Sequence, residues 1–305
     1  MNRTTLFLLL TFGICWSAVA IFALAGGTYK GIGGTILASG YMLVPAIAAI
    51  IVTWFVHREK IGKNLLISFK INRWFFVAWL TPPLLHFASM GIALLFPEVS
   101  YSPDMEGMFD RYEKTLTPDQ MDQMRLSMIM MPLHPLLMAV VQGLLAGITI
   151  NAVFGFGEEL GWRGFLVRQL QARSFMKVSL IIGVIWGIWH APLVLYGHNY
   201  PNYPVAGVFM MTAWCILLSP LFLYITLKSG SVIAAAIMHG TLNATVGIAI
   251  MMLDGGNELM VGATGLAGFI ALTGVTLLFF LYDRYISRER IMGKAVNPDL
   301  NMPGA

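Results

Sequence analysis

The stretch LHPLLMAVVQGLLAGITINAVFGF (133–156), followed at once by GEELGWRG (157–164), decides the fold class. Its first 24 residues contain no Asp, Glu, Lys or Arg. About 20 such residues cross the roughly 30 Å hydrocarbon core of a bilayer as a helix. Seven further runs of this kind lie at 5–26, 35–57, 74–96, 176–197, 205–227, 231–253 and 258–282. Composition agrees: 57% of the 305 residues are hydrophobic and 11% are charged, against about 25% charged in soluble domains. The reading is an all-α, polytopic transmembrane helical bundle of about eight spans, with residues 1–305 as a single membrane domain. Disordered chains, disulfide scaffolds and coiled coils are excluded. Cys15 and Cys215 sit in apolar runs and form no CxxC pattern. The run 5–26 also has a signal-peptide reading, with Ala18-Val19-Ala20 as an A-x-A site, but its apolar length favours a span.

The net charge of +4 reports topology, with no nucleic-acid partner expected. With the N-terminus in the cytoplasm, fifteen of the nineteen Lys and Arg residues fall in inner segments and four in outer ones. By the positive-inside rule both termini are then cytoplasmic. The outer loop at 97–132 carries seven acidic and three basic residues. Thr117-Pro118-Asp119-Gln120 reads as a helix start with a capping box. Met121, Met124 and Met128 line one face of that helix, which is expected to rest on the outer leaflet or to act as a lid. The tail from Val296 to Ala305 is expected to fray.

Ionisable groups inside a membrane are costly, so they mark functional sites. The first cluster is Glu158, Glu159 and Arg163, at the inner end of the fourth run. Glu159 and Arg163 are four residues apart and pair along one helix face, which leaves Glu158 free as a general base on water. The second is Trp186-x-x-x-His190, with Pro192 just beyond. The third is His239-x-x-x-Asn243, one turn apart on one face, preceded by Ala234, Ala235 and Ala236 that admit a close neighbour helix. Each cluster alone also fits a structural role: a boundary charge group, a buried hydrogen bonder, an interhelical pair. His57, His86, His134 and His198 are read as structural or interfacial, and Asp254 and Glu258 as solvated. Together the clusters hold a base for water and donors for an oxyanion. The G-x-S-x-G nucleophile-elbow motif and the H-E-x-x-H zinc motif are absent.

Residue counts place His239 about 12 Å and His190 about 21 Å from the inner face, with Glu158 near that face. A water-filled cavity opening to the cytoplasm would bring them together.

Glu158-Glu159-x-x-x-Arg163, aromatic-x-x-x-His190 and His239-x-x-x-Asn243, in that order, resemble the three motifs of the CAAX prenyl protease 2 family. Its prokaryotic branch is the CPBP group of CAAX proteases and bacteriocin-processing enzymes. The resemblance covers 133–253, the expected catalytic core. Trp186 stands where the family commonly has Phe. The resemblance implies an intramembrane endopeptidase acting near the cytoplasmic side. Glu158 would activate water with help from His190, His239 and Asn243 would hold the oxyanion, and Glu159 and Arg163 would orient the base. Its substrate would be a peptide or membrane protein, either prenylated or bearing a leader. Cofactor use stays open: no metal, or a zinc ion held by Glu158, His190 and His239. The alternatives are a non-catalytic scaffold or immunity protein of the same family, and a transporter or proton-coupled channel.

Overall fold

Lipid offers no hydrogen bonds to the backbone, so apolar runs in a membrane fold as helices that pair every N–H and C=O internally. The computed structural model describes residues 2–113, 116–130 and 132–297. In chain order the helices are α1 (Arg3–Leu24), α2 (Ile32–Ile50), α3 (Ile61–Asn64), α4 (Arg73–Ala93), α5 (Glu106–Tyr112), α6 (Pro118–Ile129), α7 (Pro135–Ile148), α8 (Ile150–Glu159), α9 (Val167–Gln169), α10 (Phe175–Trp189), α11 (Ala191–Leu195), α12 (Pro204–Ser229), α13 (Val232–Thr245) and α14 (Leu266–Tyr285). A π-helical segment, Leu160–Leu166, joins α8 to α9. Another, Ile51–Val56, extends α2. Two three-residue strands, β1 (Val99–Tyr101) and β2 (Leu253–Gly255), pair antiparallel.

Polar side chains start several helices. Asn2 accepts from Thr5 N at 2.8 Å, Asn72 from Trp74 N at 3.0 Å and Ser231 from Ile233 N at 3.1 Å. Each satisfies an N–H that has no partner within its helix. α12 stops at Gly230, whose φ of 67° is the left-handed conformation that ends helices cheaply only at glycine.

The protein is an integral, multi-pass membrane protein. Among the described residues, six helices are long and apolar enough to cross: α1, α2 with its extension, α4, α12, α13 with the 3₁₀ turn that follows it, and α14. The other two expected spans are irregular. The fourth is a bent pair, in which Pro135–Ile148 meets Ile150–Gln169 at 52°. The fifth is α10, 15 residues long and so only about 22 Å. α11 continues it beyond a break at His190.

Hydrogen bonds sort the connections onto two faces. On one, Arg3 pairs with Glu59, Asn72 binds Ser229 O, Lys228 binds Glu289 and Phe175 N binds Lys294 O. On the other, Tyr29 binds His198, Tyr200 binds Thr264 O, Glu258 accepts from Asn202 and β1 pairs with β2. The first face carries the segments expected to be inner, and the second those expected to be outer.

The structure corrects four expectations. The fourth span does not end at 156, because helix continues through Glu158 to Gln169. Glu158 is therefore eleven residues, roughly 17 Å, from the end of its helix, and no longer near the inner face. Helix in the seventh span stops at Thr245, and a 3₁₀ turn then leads to β2. The capping box of α6 is present, but Met121, Met124 and Met128 pack on Met105, Met108, Phe109 and Met252 of the protein itself. In the tail, Val296 is buried and bonds Arg173 O; residues 298–305 lie outside the described part.

Candidate active site

α8 and α13 come close enough to bring their polar residues together because small residues face each other. A Cβ on Gly155 would stand 2.7 Å from Ala236 O, and one on Gly240 would stand 2.6 Å from Ala152 N. Neither backbone could move aside cheaply. Ala236, whose carbonyl faces Gly155, is itself buried.

The six residues expected from sequence assemble around it. Glu158, Glu159, Arg163, His190 and His239 are all buried, while Asn243 stays exposed. Glu159 Oε1 accepts from His239 Nδ1 at 2.7 Å and from Arg163 Nη1 at 3.2 Å. The Arg163 guanidinium lies between the rings of Trp186, at 4.4 Å, and Phe222, at 4.6 Å. Trp186 Nε1 donates to Glu158 Oε2 at 2.7 Å, and Trp162 Nε1 to the same oxygen at 3.4 Å. Glu158 Oε1 takes no hydrogen bond from the described residues and lies 3.8 Å from His239 Nε2. That separation is too long for a direct hydrogen bond.

These contacts fix proton positions. His239 Nδ1–H points at the Glu159 carboxylate, so Nε2 faces Glu158. His190 Nδ1 is 2.8 Å from Trp186 O. A carbonyl only accepts, so this nitrogen carries the proton and Nε2 is a lone-pair acceptor. Arg163 Nη1 is also 3.1 Å from Glu159 Oε2, so the pair is matched along one helix face.

Glu158, His190, His239 and Asn243 line one cavity of ≈ 260 Å³. No direct hydrogen bond joins His190 to Glu158 among the described residues. Those residues also contain no group of three or more His, Cys, Asp or Glu side chains placed to hold a metal ion.

The Trp186 ring lies 5.9 Å from the His190 imidazole, and its indole N–H serves Glu158. Trp162 was missed, although its place four residues after Glu158 was a usable signal. His86 and His198, read as structural, both line the cavity. The His198 ring is parallel to that of His190 at 6.2 Å. They come from α4 and from the turn after α11, and no local spacing ties them to the motifs.

Residues 132–245 match the sequence model of a family described as type II CAAX prenyl endopeptidase, Rce1-like. All six expected site residues lie within that segment. Over 96 residues, 28% of its length, the chain is 36% identical to CAAX prenyl protease 2 of Methanococcus maripaludis. The match covers 34% of that relative, so the chain spans about a third of the length of the curated protein it resembles. The family whose motifs the sequence resembles is thus the one its central segment matches.

Proposed function

We propose, from the match of residues 132–245 to the type II CAAX prenyl endopeptidase family, that the protein is an intramembrane endopeptidase with Glu158 as its base. The observation that carries this reading is the Glu158 carboxylate. One oxygen is held by two indole N–H groups, and the other is open between His239 and the cavity.

In this mechanism Glu158 Oε1 takes a proton from a cavity water as the water oxygen attacks the peptide carbonyl carbon. The carbonyl π pair moves to oxygen, and His239 Nε2–H and the Asn243 amide donate to that oxyanion. Glu159 keeps His239 oriented through Nδ1, and Arg163 holds Glu159. His190 Nε2, an acceptor on the same cavity, orients the water. Collapse of the intermediate breaks the C–N bond, and the proton on Glu158 passes to the leaving amine. No step needs a metal.

The substrate is a peptide or membrane-protein segment, prenylated or bearing a leader, cut near the cytoplasmic side. Both termini of the enzyme are cytoplasmic, and its membrane is a prokaryotic cell membrane. A non-catalytic scaffold or immunity protein is the alternative. Cleavage of peptide by the wild type, set against its Glu158→Gln variant, separates the two.

A further inference from the structure

A second cavity, of ≈ 520 Å³, opens on the face that carries Arg3 and Glu59. It is walled by the start of α1, by the stretch from the π-helical extension of α2 into α3, and by the end of α9. Among the described residues that line it, Arg3, Lys63 and Arg168 carry fixed positive charge, His57 adds an imidazole, and Glu59 is the one acid. That acid is already engaged, since its carboxylate lies 2.7 Å from Arg3 Nη2. Lys63 is exposed and makes no ion pair among the described residues. Arg168 Nη2 donates to Lys63 O at 3.1 Å, which ties the end of α9 to α3 and keeps both cations on one cavity. Gln169 and Gln171 add side-chain amides to the same wall. Such a set suits an anion with several acceptor oxygens, which is what a phosphate offers.

The border of this cavity is apolar. Trp54 and Phe55, just before His57, are each more than half exposed, with ring centroids 4.8 Å apart. Exposed aromatic rings beside basic residues mark the level of the lipid headgroups, and the cytoplasmic leaflet is the anionic one. Basic residues that only set topology need no cavity. A soluble phosphate has no use for the apolar border, whereas a phospholipid places its acyl chains against it and its headgroup in the cavity.

We propose that this cavity binds the phosphate of an anionic membrane lipid, with Lys63 and Arg168 as the cations that meet it. The site is separate from the cavity at Glu158, and its test needs no cleavage.

Purified full-length protein in a non-ionic detergent is titrated with dioctanoyl phosphatidylglycerol, dioctanoyl phosphatidylcholine and inorganic phosphate. Ionic strength is held fixed, because exposed charges are screened by salt, and bound ligand is counted by native mass spectrometry. Phosphatidylglycerol should bind about tenfold tighter than phosphatidylcholine. Lys63→Gln should weaken phosphatidylglycerol about fivefold, the usual effect of one lysine near a membrane surface, and leave phosphatidylcholine unchanged. Glu59→Gln, which removes the acid, should tighten phosphatidylglycerol. The opposite signs expected for these two variants separate binding from damage to the fold. Arg284→Gln alters an exposed basic residue in the last turn of α14, outside the cavity, and should change nothing. An equal loss in Arg284→Gln would assign the preference to general surface charge and overturn the site. A phosphatidylglycerol affinity indifferent to both Lys63→Gln and Glu59→Gln would also overturn it. Inorganic phosphate binding as tightly as phosphatidylglycerol would overturn the lipid as the ligand and leave a site for soluble phosphate.

Discussion

Glu159 ties the buried charges together, since His239 and Arg163 both meet its Oε1. Removing one partner of a buried ion pair leaves an uncompensated charge and costs about 3–5 kcal/mol. Arg163→Met should therefore lower stability by that order in thermal unfolding in detergent, and Glu159→Gln combined with it should cost less than the two single changes added. Asn243 is exposed to the cavity and bonds no protein group among the described residues. Asn243→Ala should leave the melting temperature unchanged and lower kcat by about 10²–10³, the usual cost of one oxyanion donor. Equal loss of fold and activity would make it a structural residue instead. The pairing of Glu159 with Arg163, and the shared face of His239 and Asn243, were legible in the sequence because both are four-residue spacings within one helix. The link from His239 to Glu159 spans 80 residues, and no periodicity within one helix encodes it. The same holds for His86 and His198.

Among the elements, the contact of α8 with α13 sets the distance between base and imidazole. A Cβ on Gly155 would meet Ala236 O at 2.7 Å and His239 Cβ at 3.1 Å. Gly155→Ala should push α13 away and reduce kcat/KM by on the order of 10², as small misplacements do, with the protein still folded. Activity equal to wild type would mean that the spacing tolerates a methyl group. The helices α5 and α6 are joined by Glu106 and Arg125 at 2.8 Å, and the Arg125 guanidinium holds the Glu106 carboxyl below its usual range. This exposed pair contributes fully above the usual carboxylate value and is lost as pH falls through the lowered one. Protease sensitivity of the segment 106–129 should thus rise only in acid, below about pH 4. The sequence showed α6 through its capping box. It did not show the bend at Thr149 or the π-helical segment after Glu159. Both are tertiary responses within one continuous apolar pattern, and the second is why Glu158 was placed too near the inner face.

For the whole molecule, eight apolar runs were readable from length and composition; among the described residues six hold helices long enough to cross, the fourth is a bent pair and the fifth a shorter helix. Their unequal forms were not readable, because hydropathy reports burial in lipid and says little about how a helix bends around a polar cavity. The two hydrogen-bonded faces divide the basic residues as the positive-inside reading requires. Single cysteines replacing Lys30 or Lys294, in a chain with Cys15 and Cys215 changed to Ser, should report the sides. Lys294→Cys should react with an impermeant maleimide only after the membrane is opened, and Lys30→Cys in intact cells. The opposite pattern would invert the orientation. The most direct measurement of the central claim is cleavage of prenylated and unprenylated peptides by purified wild type and Glu158→Gln, with and without a chelator. The account predicts cleavage by wild type in both conditions and a loss of at least about 10² in the folded variant. Cleavage by Glu158→Gln at the wild-type rate would contradict it.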